Sequence, residues 1–176
     1  MIYPIVKYGH PALEQPAETI SEFDTPELHK FVEDMFQSMN AAHGVGLAAP
    51  QIGISKRIAV IDTSAGEDPS EKMVLINPEI IRSDGTQRLE EGCLSVPGFR
   101  EEVRRPNRVT LRAQNAKGEY FETAAEGLLA RAFLHETDHL NGRLFLTHVS
   151  PLKRDIIRRK IRKLAKAGEW PRPLTP

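Results

Sequence analysis

Residues 135 to 142 read HETDHLNG, and that one stretch leaves the chain little freedom. On a helix, His135 and His139 lie one turn apart on the same face, where their rings can grip a single metal ion. Glu136 sits at the edge of that face, within reach of a metal-bound water. Two imidazoles only half fill a tetrahedral site, so a distant segment must fold against this helix and supply another donor. Leu128 and Ala132 continue the same face upstream, and Asn141-Gly142 marks its end. The plain alternative is a surface helix on which histidines and acids happen to meet.

Familiar completions of such a site fail here. A third histidine beyond Gly142 would have to stand at position 145, which is Phe145. A glutamate from the next helix is missing too, because LKRDIIRRKIRKLAK contains none. His148 is near, but it stands just before the Ser150-Pro151 helix start, poorly placed to point back. Upstream lies EEGCLSVPG with the only cysteine, Cys93. A free cysteine is commonly a small buried apolar residue. Here a thiolate suits the metal that two imidazoles invite, and Gly92 lets the backbone approach closely. Cys93, His135 and His139 are the best available ligand set. Their fourth position is left to water, the arrangement of a catalytic site rather than a structural one.

The remaining sequence bounds what surrounds that site. A chain of 176 residues reads as one domain, with residues 1 to 168 as its body and 169 to 176 as a flexible tail. One cysteine excludes an internal disulfide framework and favours a reducing cytoplasm. No apolar run is long enough for a membrane, and the opening MIYPIVKYGHPALEQP lacks the features of a signal peptide. Net charge is zero, yet KRDIIRRKIRKLAK, residues 153 to 166, carries eight basic residues against one acid. The rest of the chain then holds 16 basic and 23 acidic residues, so a basic helix of about 151 to 167 rides on a mildly acidic body.

Local patterns complete the outline. Leu28, Phe31, Val32, Met35, Phe36 and Met39 fall at helical spacing, with Asp24 or Thr25 as cap, Pro26 in the first turn and Gly44 past the end. RIAVID, MVLIN, RVTLRAQ and EYFET read as strands, the last two joined by NAKG. Pro78, Pro97 and Pro106 are expected to cut this region into short pieces. The motif helix is expected from about Ala125 to Leu140. Ser150-Pro151 starts a last helix with Ile157, Ile161 and Leu164 on one face.

GVGLAAPQIG superficially matches a dinucleotide fingerprint. That fingerprint follows a strand and opens a helix, whereas this stretch follows a helix and carries Pro50, so no nucleotide cofactor is expected. Two readings stay open for it. Gly44 and Gly46 could expose backbone groups to an extended peptide, with Gln51 offering its amide. The stretch could equally be a tight connection between helix and strand.

Taken together, GVGLAAPQ (Gly44 to Gln51), EGCLS (Glu91 to Ser95) and HETDH (His135 to His139) resemble the three motifs of the peptide deformylases, in the same order and spacing. The likeness covers roughly residues 2 to 165. Leu134 and the Thr147-His148 pair depart from the common pattern, and neither His43 nor His148 receives a role.

The resemblance implies an α+β fold, with antiparallel sheets around the central motif helix. It implies hydrolysis of the N-formyl group from N-formylmethionyl nascent peptides, with release of formate. It implies one divalent ion, Fe2+ in the cell, with Zn2+, Ni2+ or Co2+ as other occupants. Glu136 would then move the proton, while the Gln51 amide and the Leu94 N–H would hold the oxyanion. The peptide would add as a strand at Val45 and Gly46, beside Gly92. Its methionine would enter a pocket near Val45, Leu128, Arg131 and Ala132, with Arg100 at the rim and Arg105 paired to Glu91. As in bacterial deformylases, the basic C-terminal helix could approach the ribosome. A solvated helix face is the other reading of that helix.

Overall fold

The computed structural model describes residues 1 to 171. Thr25 caps α1 (Pro26–Ala41) by accepting the Leu28 N–H through its hydroxyl, and Pro26 fills the first turn, where no N–H is needed. The apolar stripe of α1 packs on β1 (Gly46–Ala48) and β2 (Ile58–Asp62), joining Leu47, Ile58 and Val60 in one core cluster. All five residues of β2 are buried. Side chains alternate along a strand, so Ile58 and Val60 meet α1 while Ile61 turns to the opposite face. There it joins Leu75, Leu111 and Phe133 in a second cluster.

Phe133 belongs to α2 (Gly127–Leu140), the motif helix. The sheet between the two helices is antiparallel and five-stranded, in the order β1-β2-β3-β6-β7, with β3 (Lys72–Asp84), β6 (Arg108–Gln114) and β7 (Tyr120–Glu126). A separate hairpin pairs β4 (Gln87–Gly92) with β5 (Arg100–Arg105). Gly142, at φ 74, turns the chain out of α2 where a Cβ would meet the Gln15 backbone at 2.8 Å.

Three expectations need correction. Pro78 does not break the strand: β3 runs through it for 13 residues. A register shift between Ile76 and Glu79 absorbs the missing donor, Asn77 takes a left-handed φ of 50°, and the Asn77 N–H donates to Arg57 O instead. The motif helix begins at Gly127 rather than near Ala125, because β7 claims Ala125 and Glu126 for pairing with Val109 and Arg108. In the segment expected to be a flexible tail, Trp170 is buried, and its indole N–H donates to Tyr8 O at 3.0 Å. Within that segment, 172 to 176 lie outside the described residues.

The last helix, α3 (Pro151–Lys166), is capped by Ser150 and buries Ile157 and Ile161. These join Val96, Val103, Phe145 and Trp170 in a third cluster, against which Cys93 and Tyr8 pack. The helix therefore supports the loop that carries the cysteine. No described helix is long and apolar enough to cross a membrane.

Candidate metal centre and active site

Helix α2 carries His135 and His139 toward the hairpin, and the turn after β4 brings Cys93 to meet them. The three donor atoms lie within 4.8 Å of one another. His135 Nε2 and His139 Nε2 are 3.1 Å apart, and Cys93 Sγ is 3.3 Å from His139 Nε2. Ordinary zinc bond lengths at a tetrahedral angle would separate such pairs by about 3.3 and 3.6 Å. These two separations lie within a few tenths of an ångström of what a shared ion would need. The state of His139 agrees with that fit. Burial holds His139 well below its usual range, in the neutral form that ligates. Burial also opposes charge on His135, but the nearby Cys93 sulfur and the Glu91 carboxylate outweigh it and raise its pKa.

Glu91 sets which nitrogen His135 presents. Its Oε2 accepts from His135 Nδ1 at 2.8 Å and from Arg105 Nη2 at 2.6 Å. Its Oε1 accepts from Arg105 Nε at 3.1 Å and Arg131 Nη1 at 2.8 Å. Burial disfavours the carboxylate, but these partners hold it well below the usual range. With Nδ1 so engaged, His135 turns Nε2 to the centre. Breaking one partner out of a buried charge network costs about 3–5 kcal/mol, so the ring is held firmly. Arg105 also donates to Asp138, which is shared with His148 Nε2 at 2.8 Å. His148 thus faces Asp138 rather than the metal cluster.

One side of the cluster opens into a cavity of about 560 Å³. Val45, Gly46 and Gly92 line it, as do Leu128, Ala132 and Arg100. Arg131 lines it as well, although its guanidinium is spent on Glu91, Gln87 and the Val103 carbonyl. His43 stands at the cavity with a left-handed φ of 57°. Among the described residues strand β1 pairs with β2 alone, so its other edge carries no partner strand. Gly46 on that edge has no room for a side chain, since a Cβ would meet Glu136 Oε1 at 2.5 Å.

Glu136 is buried, and its Oε2 has no hydrogen-bond partner among the described residues. Burial pushes it up to about 7, the range suited to a proton carrier. Gln51 follows β1 in a single turn, Ala49–Ile52. Its Oε1 accepts the Ala48 N–H at 2.9 Å, which fixes the amide and aims Nε2 at Cys93 Sγ, 3.5 Å away, and Ser95 Oγ, 3.4 Å away. Leu94 lines the cavity beside Cys93. Sequence reasoning singled out neither Ser95 nor Lys7, whose ammonium reaches the Leu94 carbonyl. Nothing in the pattern around Lys7 signals that interaction.

A donor cluster closed on all sides would be structural. This one faces a cavity, with a buried carboxylate of raised pKa at its lip, which is the construction of a single-metal hydrolase. The family model for polypeptide deformylase matches residues 2–155. A peptide deformylase of Acidobacterium capsulatum is 61% identical over 97% of this chain and 99% of its own length. One of Thermodesulfovibrio yellowstonii is 47% identical over 92% of this chain and 97% of its own. The crystal structure of a peptide deformylase from Legionella pneumophila superposes with a TM-score of 0.87 at 44% identity, covering 96% of this chain and 98% of that one. The chain belongs to the polypeptide deformylase family. It is a hydrolase that removes the N-formyl group from newly made polypeptides.

Proposed function

We propose that this chain carries out deformylation with Cys93, His135 and His139 holding one divalent ion, Fe2+ in the cell, and with Glu136 moving the proton. The observation that carries this reading is the open side of the donor cluster, which faces a cavity beside the free edge of β1. A bound ion would supply Lewis acidity, making water a nucleophile at neutral pH and offsetting charge on the carbonyl oxygen. A thiolate with two imidazoles suits iron, zinc, nickel or cobalt.

The formylated peptide lies along Val45 and Gly46 as an added strand, beside Gly92. Its methionine points into the cavity toward Leu128, Ala132 and the aliphatic part of Arg131, while Arg100 stands at the rim. Glu136 takes the proton from the attacking water and gives it to the leaving amine, so formate and a free N-terminus result. The Gln51 amide and the Leu94 N–H donate to the oxygen as its charge grows. Gln51→Glu keeps the acceptor for Ala48 and removes that donor. It should lower kcat by about 10²- to 10³-fold with metal content unchanged. A variant with the parent's kcat would remove Gln51 from the oxyanion site.

Substrates of this kind emerge from the ribosome in the cytoplasm, and α3 offers a docking face there. Arg159, Lys160 and Lys163 are exposed on it, whereas Ile157 and Ile161 are buried under the site. Cutting the helix off would disturb the cysteine loop, so charge removal is the cleaner test. Replacing those three basic residues with alanine should weaken ribosome binding. The salt dependence should fall by about one unit of slope for each phosphate that is no longer neutralised. Activity on a short formyl peptide should stay at the parent level. Ribosome affinity equal to the parent's at low and high salt would leave α3 a solvated face.

A further inference from the structure

Lys7 stands on the N-terminal segment, outside all three motifs, and is half-buried. Its ammonium donates to the Leu94 carbonyl at 3.2 Å. That carbonyl and the Ser95 N–H belong to one peptide unit, and the N–H donates to Cys93 Sγ at 3.4 Å. The neighbours of Lys7 reinforce this tie. Val6 N–H donates to Gln51 O at 2.8 Å, and Tyr8 N–H to Ser95 O at 2.8 Å. Residues 6 to 8 therefore tie together the two segments that bear the oxyanion donors. Those flanking bonds are made by backbone and would survive any side chain, so the Lys7 ammonium is the part of this strap that the sequence chooses.

The choice has a cost and a consequence. Burial lowers the pKa of Lys7, opposed by the nearby Cys93 sulfur. A charge donated to a carbonyl polarises its peptide and strengthens the N–H at the other end. Here that N–H points at the sulfur. Loss of the ammonium would leave the 93–95 turn looser and the sulfur with a weaker donor.

We propose that Lys7 is a positioning residue for the hydrolysis: through the Leu94–Ser95 peptide it fixes the turn that presents the Leu94 N–H to the substrate oxygen and the Ser95 N–H to the Cys93 sulfur. The proposal rests on the reading of Cys93 as ligand and Leu94 as donor. Lys7 itself touches neither substrate nor reacting atoms.

The test loads the full-length protein with cobalt(II) and compares Lys7→Met, which keeps the stem and loses the ammonium, with Lys7→Arg, which keeps a cation. A sulfur bonded to cobalt gives a charge-transfer band whose energy falls as the sulfur becomes a freer donor. In Lys7→Met this band should move to lower energy and kcat should fall about ten- to hundredfold, with KM little changed. Lys7→Arg should restore both. A Lys7→Met protein with the parent's band and kcat overturns the proposal, and so does a drop in Tm with both of those unchanged. An equal kcat loss in Lys7→Arg overturns it as well. If the unaltered protein shows no sulfur-to-cobalt band, the ligand reading of Cys93 fails and the Lys7 proposal falls with it.

Discussion

Glu136→Gln should leave the metal in place while turnover falls by about 10²- to 10⁴-fold. The amide has the shape of the carboxylate but accepts no proton from water. Glu136 lies outside the donor cluster of Cys93, His135 and His139, so the cluster keeps all three donors. The side chain sits under Gly46, with no space between a Cβ there and Oε1, so an isosteric replacement is the one that fits. Its orphaned Oε2 also means that no partner among the described residues is stranded at that oxygen by losing the charge. Metal analysis beside steady-state kinetics separates the two effects. Turnover near the parent value would take Glu136 out of the mechanism, and loss of metal would make it a ligand.

Cys93→Ser should lose most of the bound metal and with it the activity. A serine hydroxyl does not ionise at neutral pH as a thiol can, so the site would keep two imidazoles and no anionic donor. The fold itself should persist. Cys93 is only partly buried and contributes at the margin of the third core cluster, which Phe145, Ile157 and Trp170 dominate. Metal content measured after dialysis, with the Tm of the metal-free protein as control, reads this directly. Full metal retention in Cys93→Ser would return the residue to a small packed side chain.

The site's parts were legible in the sequence wherever chemistry is written in local spacing. HETDH needs only helical periodicity to bring His135 and His139 together, and failed alternatives downstream left Cys93 as the third donor. What the spacing hid is what long-range pairing builds. Strand β4 buries one residue of six, Glu91, so no apolar alternation announces the hairpin that delivers Glu91 and Cys93. Pro78 read as a break because a proline removes a ladder donor, and the bulge at Asn77 is a local repair invisible in composition. The free edge of β1 is a property of sheet order, not of any residue. Trp170 looked like tail because its partners, Phe99 and Tyr8, are remote in sequence. Lys7 escaped for the same reason: its partner is the Leu94 carbonyl, which carries no residue identity.

This site should hydrolyse a formyl group and little else, and one comparison tests that selectivity. Formyl-Met-Ala-Ser and acetyl-Met-Ala-Ser differ by a methyl at the reacting carbon. In the proposed reading, a formyl carbon sits against the close backbone of Gly46 and Gly92 with its oxygen among the proposed Gln51 and Leu94 donors. An acetyl methyl must displace packed atoms there, at a cost of about 1–3 kcal/mol, or roughly ten- to two-hundredfold in rate. Its carbonyl is also the less electrophilic. The metal-loaded enzyme should therefore release formate rapidly from the first peptide and almost no acetate from the second, and kcat/KM of similar size for the two would contradict the account.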